Sequence, residues 1–145
     1  MTTVEDLLER VDGLDIGFES SMSIEDTKEQ LVLKQQMQML QGLDSSGKKI
    51  GEYQSPVYAE AKHRLNPLAG FGNVDLRLTG AFFRDQFVDV RDDEYVIDSA
   101  DEKADALVKK YGDDIFGLST DFEAEYVEND LEPVLIDNVR EKIQL

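Results

Sequence analysis

Between residues 76 and 118 the spacing of apolar and polar positions changes twice, and each change marks an element boundary. Thr79 stands at a helix-start position ahead of Phe82, Phe83 and Phe87, which predicts a short helix with an aromatic side. From Phe87 the period falls to two, with Phe87, Asp89 and Arg91 set against Val88 and Val90. Asp92-Asp93-Glu94 interrupts the alternation and Tyr95-Val96-Ile97-Asp98 resumes it, the pattern of a β-hairpin. Ser99 and Glu102 then have capping-box spacing. Ala100, Ala104, Leu107, Val108 and Tyr111 recur at helical intervals, and Gly112 closes that helix.

Helical periodicity dominates the rest. Val4, Leu7, Leu8 and Val11 share one side of a short helix capped by Thr3 and Asp6, and residues 14–18 read as a brief strand or an extended arm. That N-terminal segment either docks on a partner or folds back on its own domain. Ser23, with Asp26, caps the longest predicted helix, residues 23–41, whose apolar side is Ile24, Thr27, Leu31, Leu33, Met37 and Leu40, widened by Val32 and Met39. Gly42 ends it, and Asp44-Ser45-Ser46-Gly47 is a turn signal. As a calcium loop this turn fails, because Lys48 stands where an oxygen ligand is required and Ser55 where the bidentate Glu belongs. Pro56 opens a short helix over 57–65, and the loop-like stretch 66–72 follows; Tyr53, Tyr58 and Phe71 are expected to pin this connection to the core, or else to serve as interface anchors. Ser119 or Thr120 caps a further helix burying Phe122 and Tyr126. Pro133 either kinks the chain or sits in the first turn of a terminal helix striped by Leu135, Val139 and Ile143.

The expected fold is therefore α+β, with four to five helices around a small antiparallel sheet built on a central hairpin. Residues 23–145 are expected to form a single α+β domain and 1–22 an N-terminal arm or short helix. Two strands alone are marginal, so a third is expected from 14–18, 50–53 or 74–78, or from a neighbouring subunit. The expected core is Leu31, Met37, Leu40, Leu78, Phe83, Phe87, Val90, Val96, Leu107, Val108 and Leu135.

Composition narrows the chemistry. The 145 residues, 41% of them hydrophobic, suffice for one domain with a real core. There is no Cys and a single His, at position 63, so thiolate chemistry and cysteine metal sites are excluded. A serine nucleophile needs an activating base, but Ser46, Ser55 and Ser99 have no nearby histidine, His63 is the only one in the chain, and no Gly-x-Ser-x-Gly elbow is present. Asp92-Asp93-Glu94 and Asp113-Asp114 read as solvated turns rather than paired catalytic carboxylates. No enzymatic activity, cofactor or metal is expected. No apolar run approaches the roughly 20 residues that span a bilayer.

Charge adds a direction. The net charge is −17, distributed as −6 over residues 1–43, +2 over 44–84 and −13 over 85–145. Such a surface repels phosphate backbones, so direct nucleic-acid contact is not expected. Lys48, Lys49, Lys62, His63 and Arg64 offer cations to an acidic partner, including the acidic half of another copy; the plainer reading is loop solubility. The candidate interface joins Lys48, Lys49, Lys62 and Arg64 to the apolar anchors Tyr53, Tyr58, Phe71 and Phe116 and to the terminal stripe Leu135, Val139 and Ile143.

One ordered set of motifs goes further. Residues 40–58, LQGLDSSGKKIGEYQSPVY, precede Leu76-Arg77-Leu78-Thr79-Gly80-Ala81-Phe82-Phe83 and then Lys110-Tyr111-Gly112-Asp113-Asp114-Ile115-Phe116-Gly117-Leu118. This order resembles a group of small virion structural proteins of tailed bacteriophages of Bacteroides-type hosts. More distantly, the chain is similar to phage neck and tail-completion (head–tail connector) proteins, which share its order of long helix, Thr-Gly helix start, two-stranded element and proline-preceded terminal helix. The resemblance implies a non-catalytic part of a virion, assembled in the host cytoplasm, whose partners are other virion proteins and copies of itself. The chain departs from the basic balance of DNA-facing neck parts, which favours protein contacts alone. The competing expectation is an acidic monomeric adaptor, or a nucleic-acid mimic that binds a basic protein.

Overall fold

The computed structural model describes residues 3–77, 80–91 and 94–144. The expectations placed on Leu78, Thr79, Asp92 and Asp93 lie outside these residues. In chain order come α1 (Val4–Asp12), α2 (Ile16–Asp26), α3 (Lys28–Leu40), α4 (Pro56–Leu65), the single turn α5 (Ala81–Arg84), β1 (Gln86–Arg91), β2 (Glu94–Ser99), α6 (Ala104–Tyr111), α7 (Thr120–Tyr126) and α8 (Glu132–Ile143). A π turn, Val127–Leu131, joins α7 to α8 without a break. The fold is thus α+β with a small antiparallel hairpin, but the described residues form seven separate α-helices rather than four or five.

The hairpin follows the predicted alternation. Phe87 faces Asp98 and Val90 faces Tyr95 across it, and the Ala100 N–H extends the ladder to the Asp85 carbonyl at 2.9 Å. Its inner face carries Gln86, Val88, Val90, Ile97 and Ser99; Phe87 and Val96 lie on the outer face and are exposed. Placing Phe87 and Val96 in the core was therefore wrong. In a period-two element one phase alone reaches the core, and Ile97 occupies it. No third strand forms among the described residues. The segments around 52 and 73 make only an isolated bridge, Glu52 to Asn73, and residues 14–18 turn into α2 instead, with Asp15 accepting the Phe18 N–H at 3.1 Å.

The predicted helix over 23–41 is two helices. Thr27 breaks it with φ −114° and ψ 15°. Its hydroxyl donates to the Ser23 carbonyl at 2.7 Å and shares a 2.7 Å bond with the buried Tyr126 hydroxyl. Ser23 is no cap: it is buried within α2, donating to the Glu19 carbonyl at 2.7 Å. The buried positions of α3 are Leu31, Gln35, Gln38 and Met39, one helical face, while Met37 is exposed. Gln35 and Gln38 are the unexpected members. The Gly117 N–H donates to Gln35 Oε1 at 2.7 Å, Gln38 Nε2 donates to the Gly117 carbonyl at 2.8 Å, and the Ser119 N–H donates to Gln38 Oε1 at 2.7 Å. Two side-chain amides thus hold the 117–119 backbone as a neighbouring strand would. Ser99 likewise caps nothing. Its hydroxyl donates to the Phe82 carbonyl at 2.9 Å and accepts the Asp101 N–H at 3.3 Å, and α6 starts later, at Ala104.

Two apolar clusters make the core. One contains Met39, Val74, Leu76, Phe82, Phe83, Ala104 and Ile115; the other contains Ile24, Leu31, Ile97, Leu118, Phe122 and Tyr126; Phe116 packs against both. The terminal rod runs along α3 through α7, then along α2 and α1 through α8. One apolar stripe runs along it through Phe122, Tyr126, Leu131, Leu135, Val139 and Ile143, four apart except for one step of five. That step coincides with the π turn, where the Glu132 N–H reaches back five residues to the Val127 carbonyl. The next residue, Pro133, has no N–H to offer and its ring crowds the carbonyl four residues back, so the wider turn suits it.

Candidate protein–protein interface

Ser55 accepts the Tyr58 N–H at 3.3 Å and Pro56 fills the first position, so α4 starts where its sequence dictates. Its underside is polar and buried. Lys62 Nζ lies 2.7 Å from Asp75 Oδ1 and also donates to the Arg77 carbonyl. Asp75, itself buried, accepts from the Arg77 N–H at 3.0 Å, Asn66 Nδ2 at 3.0 Å and the Tyr53 hydroxyl at 3.4 Å. Asn66 Nδ2 donates as well to the Leu40 carbonyl at 2.7 Å, tying the end of α4 to the end of α3. The next residue, Leu76, is buried with φ at +61°, a conformation that L side chains rarely adopt.

This lock turns the rest of α4 outward. Val57, Ala61 and Leu65 recur four apart on its exposed side, and Leu68 and Phe71 follow in the connecting loop. Val57 is 79% exposed, Leu65 80%, Leu68 68% and Phe71 61%, which makes this a surface of large apolar groups and not a scatter of half-covered ones. Tyr58 extends it, standing edge-on to the Tyr53 ring at 4.9 Å, and His63 meets Phe71 edge-on at 5.7 Å. Arg64 supplies the charged rim, paired with Glu60 at 2.6 Å. A second exposed apolar surface lies on α1 and α2, where Val4, Leu8, Val11, Ile16 and Phe18 stand among Glu5, Asp6, Glu9, Asp12 and Asp15. α1 is held in shape by reciprocal bonds between Thr3 and Asp6, which also keep the Asp6 carboxyl below its ordinary range.

The expected interface residues divide. Tyr58, Arg64 and Phe71 lie at the α4 surface, and Lys48 and Lys49 are exposed in the turn organised by Asp44, which accepts the Lys48 N–H at 3.0 Å. Tyr53 is half-buried and Lys62 is turned inward, so the lysine expected to meet a partner is committed to Asp75. Phe116 lies between the two core clusters, while Ile143 is buried and Leu135 and Val139 half-buried on α8. The sequence reading missed Val57, Leu65 and Leu68. The four-residue spacing of Val57, Ala61 and Leu65 was a visible signal, but the face only shows as free once Lys62 is known to point the other way. Among the described residues no group of three carboxylate or imidazole side chains is placed to hold a metal ion, and no helix is long and apolar enough to cross a membrane.

The tyrosines give a pH signature. Burial pushes the Tyr53 phenol well above its ordinary value of 10.0, helped by the Asp75 carboxylate, and burial with nearby Glu123 does the same for Tyr95; burial also raises Tyr126. A phenol whose pKa is raised by folding contributes stability that is full below the unfolded value and is lost as pH climbs through the folded one. The fold is therefore expected to weaken above about pH 10. Stopped-flow alkaline jumps should show slow ionisation of Tyr53, Tyr95 and Tyr126 that tracks loss of helical circular dichroism. If these three tyrosines ionise in a fast step with the helices intact, they are not buried in solution.

No protein-family model, no curated protein and no solved structure matches the chain.

Proposed function

We propose that this protein is a non-catalytic structural component of a tailed-phage virion, of the neck or tail-completion kind, that works by binding other subunits. The observation that carries the reading is the α4 surface: large apolar side chains held outward by a buried ion pair beneath them. Large apolar side chains exposed together favour a site that another protein covers. The α4 surface belongs to the segment of charge +2, whereas the α1–α2 surface belongs to the segment of charge −6. Opposite charge and two separate apolar faces suit a head-to-tail contact, which closes into a ring when the rotation allows. The motif order across residues 40–118 supplies the virion context.

Sedimentation velocity tests the contact. The chain is expected to self-associate, and Leu65→Glu or Leu8→Glu should each weaken association by about tenfold or more without changing helical content. A mixture of the two variants should recover one contact, since each keeps the face that the other lacks. A chain that stays monomeric to millimolar concentration, or variants that associate like the parent, would overturn the head-to-tail arrangement.

The charge of −13 over residues 85–145 favours a second reading, an acidic adaptor or nucleic-acid mimic. A stable monomer that displaces DNA from a basic DNA-binding protein would support it.

A further inference from the structure

Neither outer edge of the two-stranded hairpin is paired with another strand among the described residues, and the β2 edge lies beside a groove. In the hairpin's register Asp89 pairs with Val96 and Phe87 with Asp98, and the continuation from Ala100 to Asp85 marks these as the hydrogen-bonded pairs. By alternation Tyr95 and Ile97 direct their N–H and C=O groups away from β1. No strand of the described chain takes them up. Beside this edge lies a groove of about 500 Å³, bounded across the gap by α6 and the 113–117 segment. Ala104, Val108 and Phe116 supply its apolar wall, and Asp98, Asp105 and Asp113 its charges. No basic residue lines it. Lys109 and Lys110 are on α6 but outside the groove, with Lys110 held over the Tyr111 ring at 5.2 Å.

We infer that the open edge of β2 is a strand-addition site for an extended, basic segment of another protein. The backbone groups of Tyr95 and Ile97 are met in full only by an extended chain, which a helix or a globular face cannot supply. The edge presented to the groove, residues 95–98, is about 13 Å long, enough for a short strand of alternating side chains. Alternation then sorts the partner's residues: one set lies toward Val108 and Phe116, the other carries cations toward the three carboxylates. The same carboxylates, in a chain of net charge −17, disfavour a second copy as the occupant. Charged groups on a strand edge also serve as guards against accidental pairing, and the two roles differ in what they do to a basic strand. A guard repels every strand, whereas this edge selects by sign. The site is independent of the α4 surface, and either can fail alone.

The test uses the full chain, isotope-labelled, with a blocked heptapeptide of alternating lysine and valine as probe. Binding is expected to slow amide exchange at Tyr95 and Ile97 by about tenfold or more, as ladder bonds form. The same peptide with alternate backbone nitrogens methylated keeps its charge but not its ladder, and should bind at least about tenfold more weakly. A peptide with glutamate in place of lysine should not bind. Asp105→Asn combined with Asp113→Asn, both at exposed positions, should weaken binding of the lysine peptide and leave the melting temperature unchanged. Equal binding of the methylated peptide, or unchanged exchange at Tyr95 and Ile97, would overturn the proposal. Exchange at these residues that slows with protein concentration alone would overturn it too, in favour of a second copy of the chain.

Discussion

Gln38→Leu is expected to destabilise the protein by about 3 kcal/mol, as much as the loss of a large core side chain. Leucine has a similar volume and greater apolarity, so hydrophobicity alone predicts a neutral or stabilising change. The structure reverses that sign. Gln38 is fully buried, and its amide answers both the Gly117 carbonyl and the Ser119 N–H. Leucine would leave both backbone groups buried or half-buried without a partner, at about 1–3 kcal/mol each, against a smaller gain from apolar burial. Gln35→Leu orphans the Gly117 N–H, and its second bond, to the Ile115 carbonyl, is long at 3.5 Å. It should therefore cost less, about 2 kcal/mol. Gln41→Leu, at an exposed position, should change stability by less than about 0.5 kcal/mol. Urea denaturation of the three variants decides the matter: if Gln38→Leu behaves like Gln41→Leu, the amide clamp does not exist in solution.

Lys62→Met should be the other large effect, at about 3 kcal/mol. The methionine keeps most of the aliphatic stem and removes the charge. Asp75 would then remain buried with Asn66, the Arg77 N–H and the Tyr53 hydroxyl, but with no cation. The double variant Lys62→Met with Asp75→Leu should lose less than the sum of the two single changes, because no unpaired charge is left behind. Thermal melts of all four proteins would show this coupling. Additive losses would mean that the pair is solvated and does not hold α4 in place. Lys62→Met should also weaken the self-association proposed for the α4 surface, since that surface depends on the lock beneath it.

These two clusters explain where the sequence was legible and where it was not. The hairpin was readable because its signal is local: six residues alternate, turn and alternate again. The helix over 56–65 was readable from Ser55 and Pro56, which act within one turn of their own positions. The buried face of α3 was not readable, because two of its four positions are glutamines, which count as surface in any apolar pattern. Only the loop at 115–119, some 80 residues later, makes them inward residues. Lys62 and Asp75 were hidden for the same reason: a lysine is exposed by default, and its partner lies thirteen residues away across a loop with no periodicity. The break at Thr27 also depends on distance, since its hydroxyl meets Tyr126 far along the chain. Of the expected interface, Tyr58 and Phe71 are exposed although an aromatic in a long connection reads first as a pin to the core, whereas the terminal stripe is an apolar face that the protein covers largely for itself.

The π turn in the terminal rod has a consequence for how this chain can change length. Between Tyr126 and Leu131 the rod holds one residue more than an unbroken α-helix needs to keep its stripe on one side. Removing a residue elsewhere in α7 or α8 would swing everything beyond it by about 100°, carrying Leu135, Val139 and Ile143 off α2 and α1. Removing one between Tyr126 and Leu131 would leave the stripe aligned, but would place Pro133 inside a regular helix that it cannot complete. A gap at that point is therefore tolerable only together with replacement of the proline. The dependence runs one way: the extra residue can be lost at little cost only when Pro133 goes too.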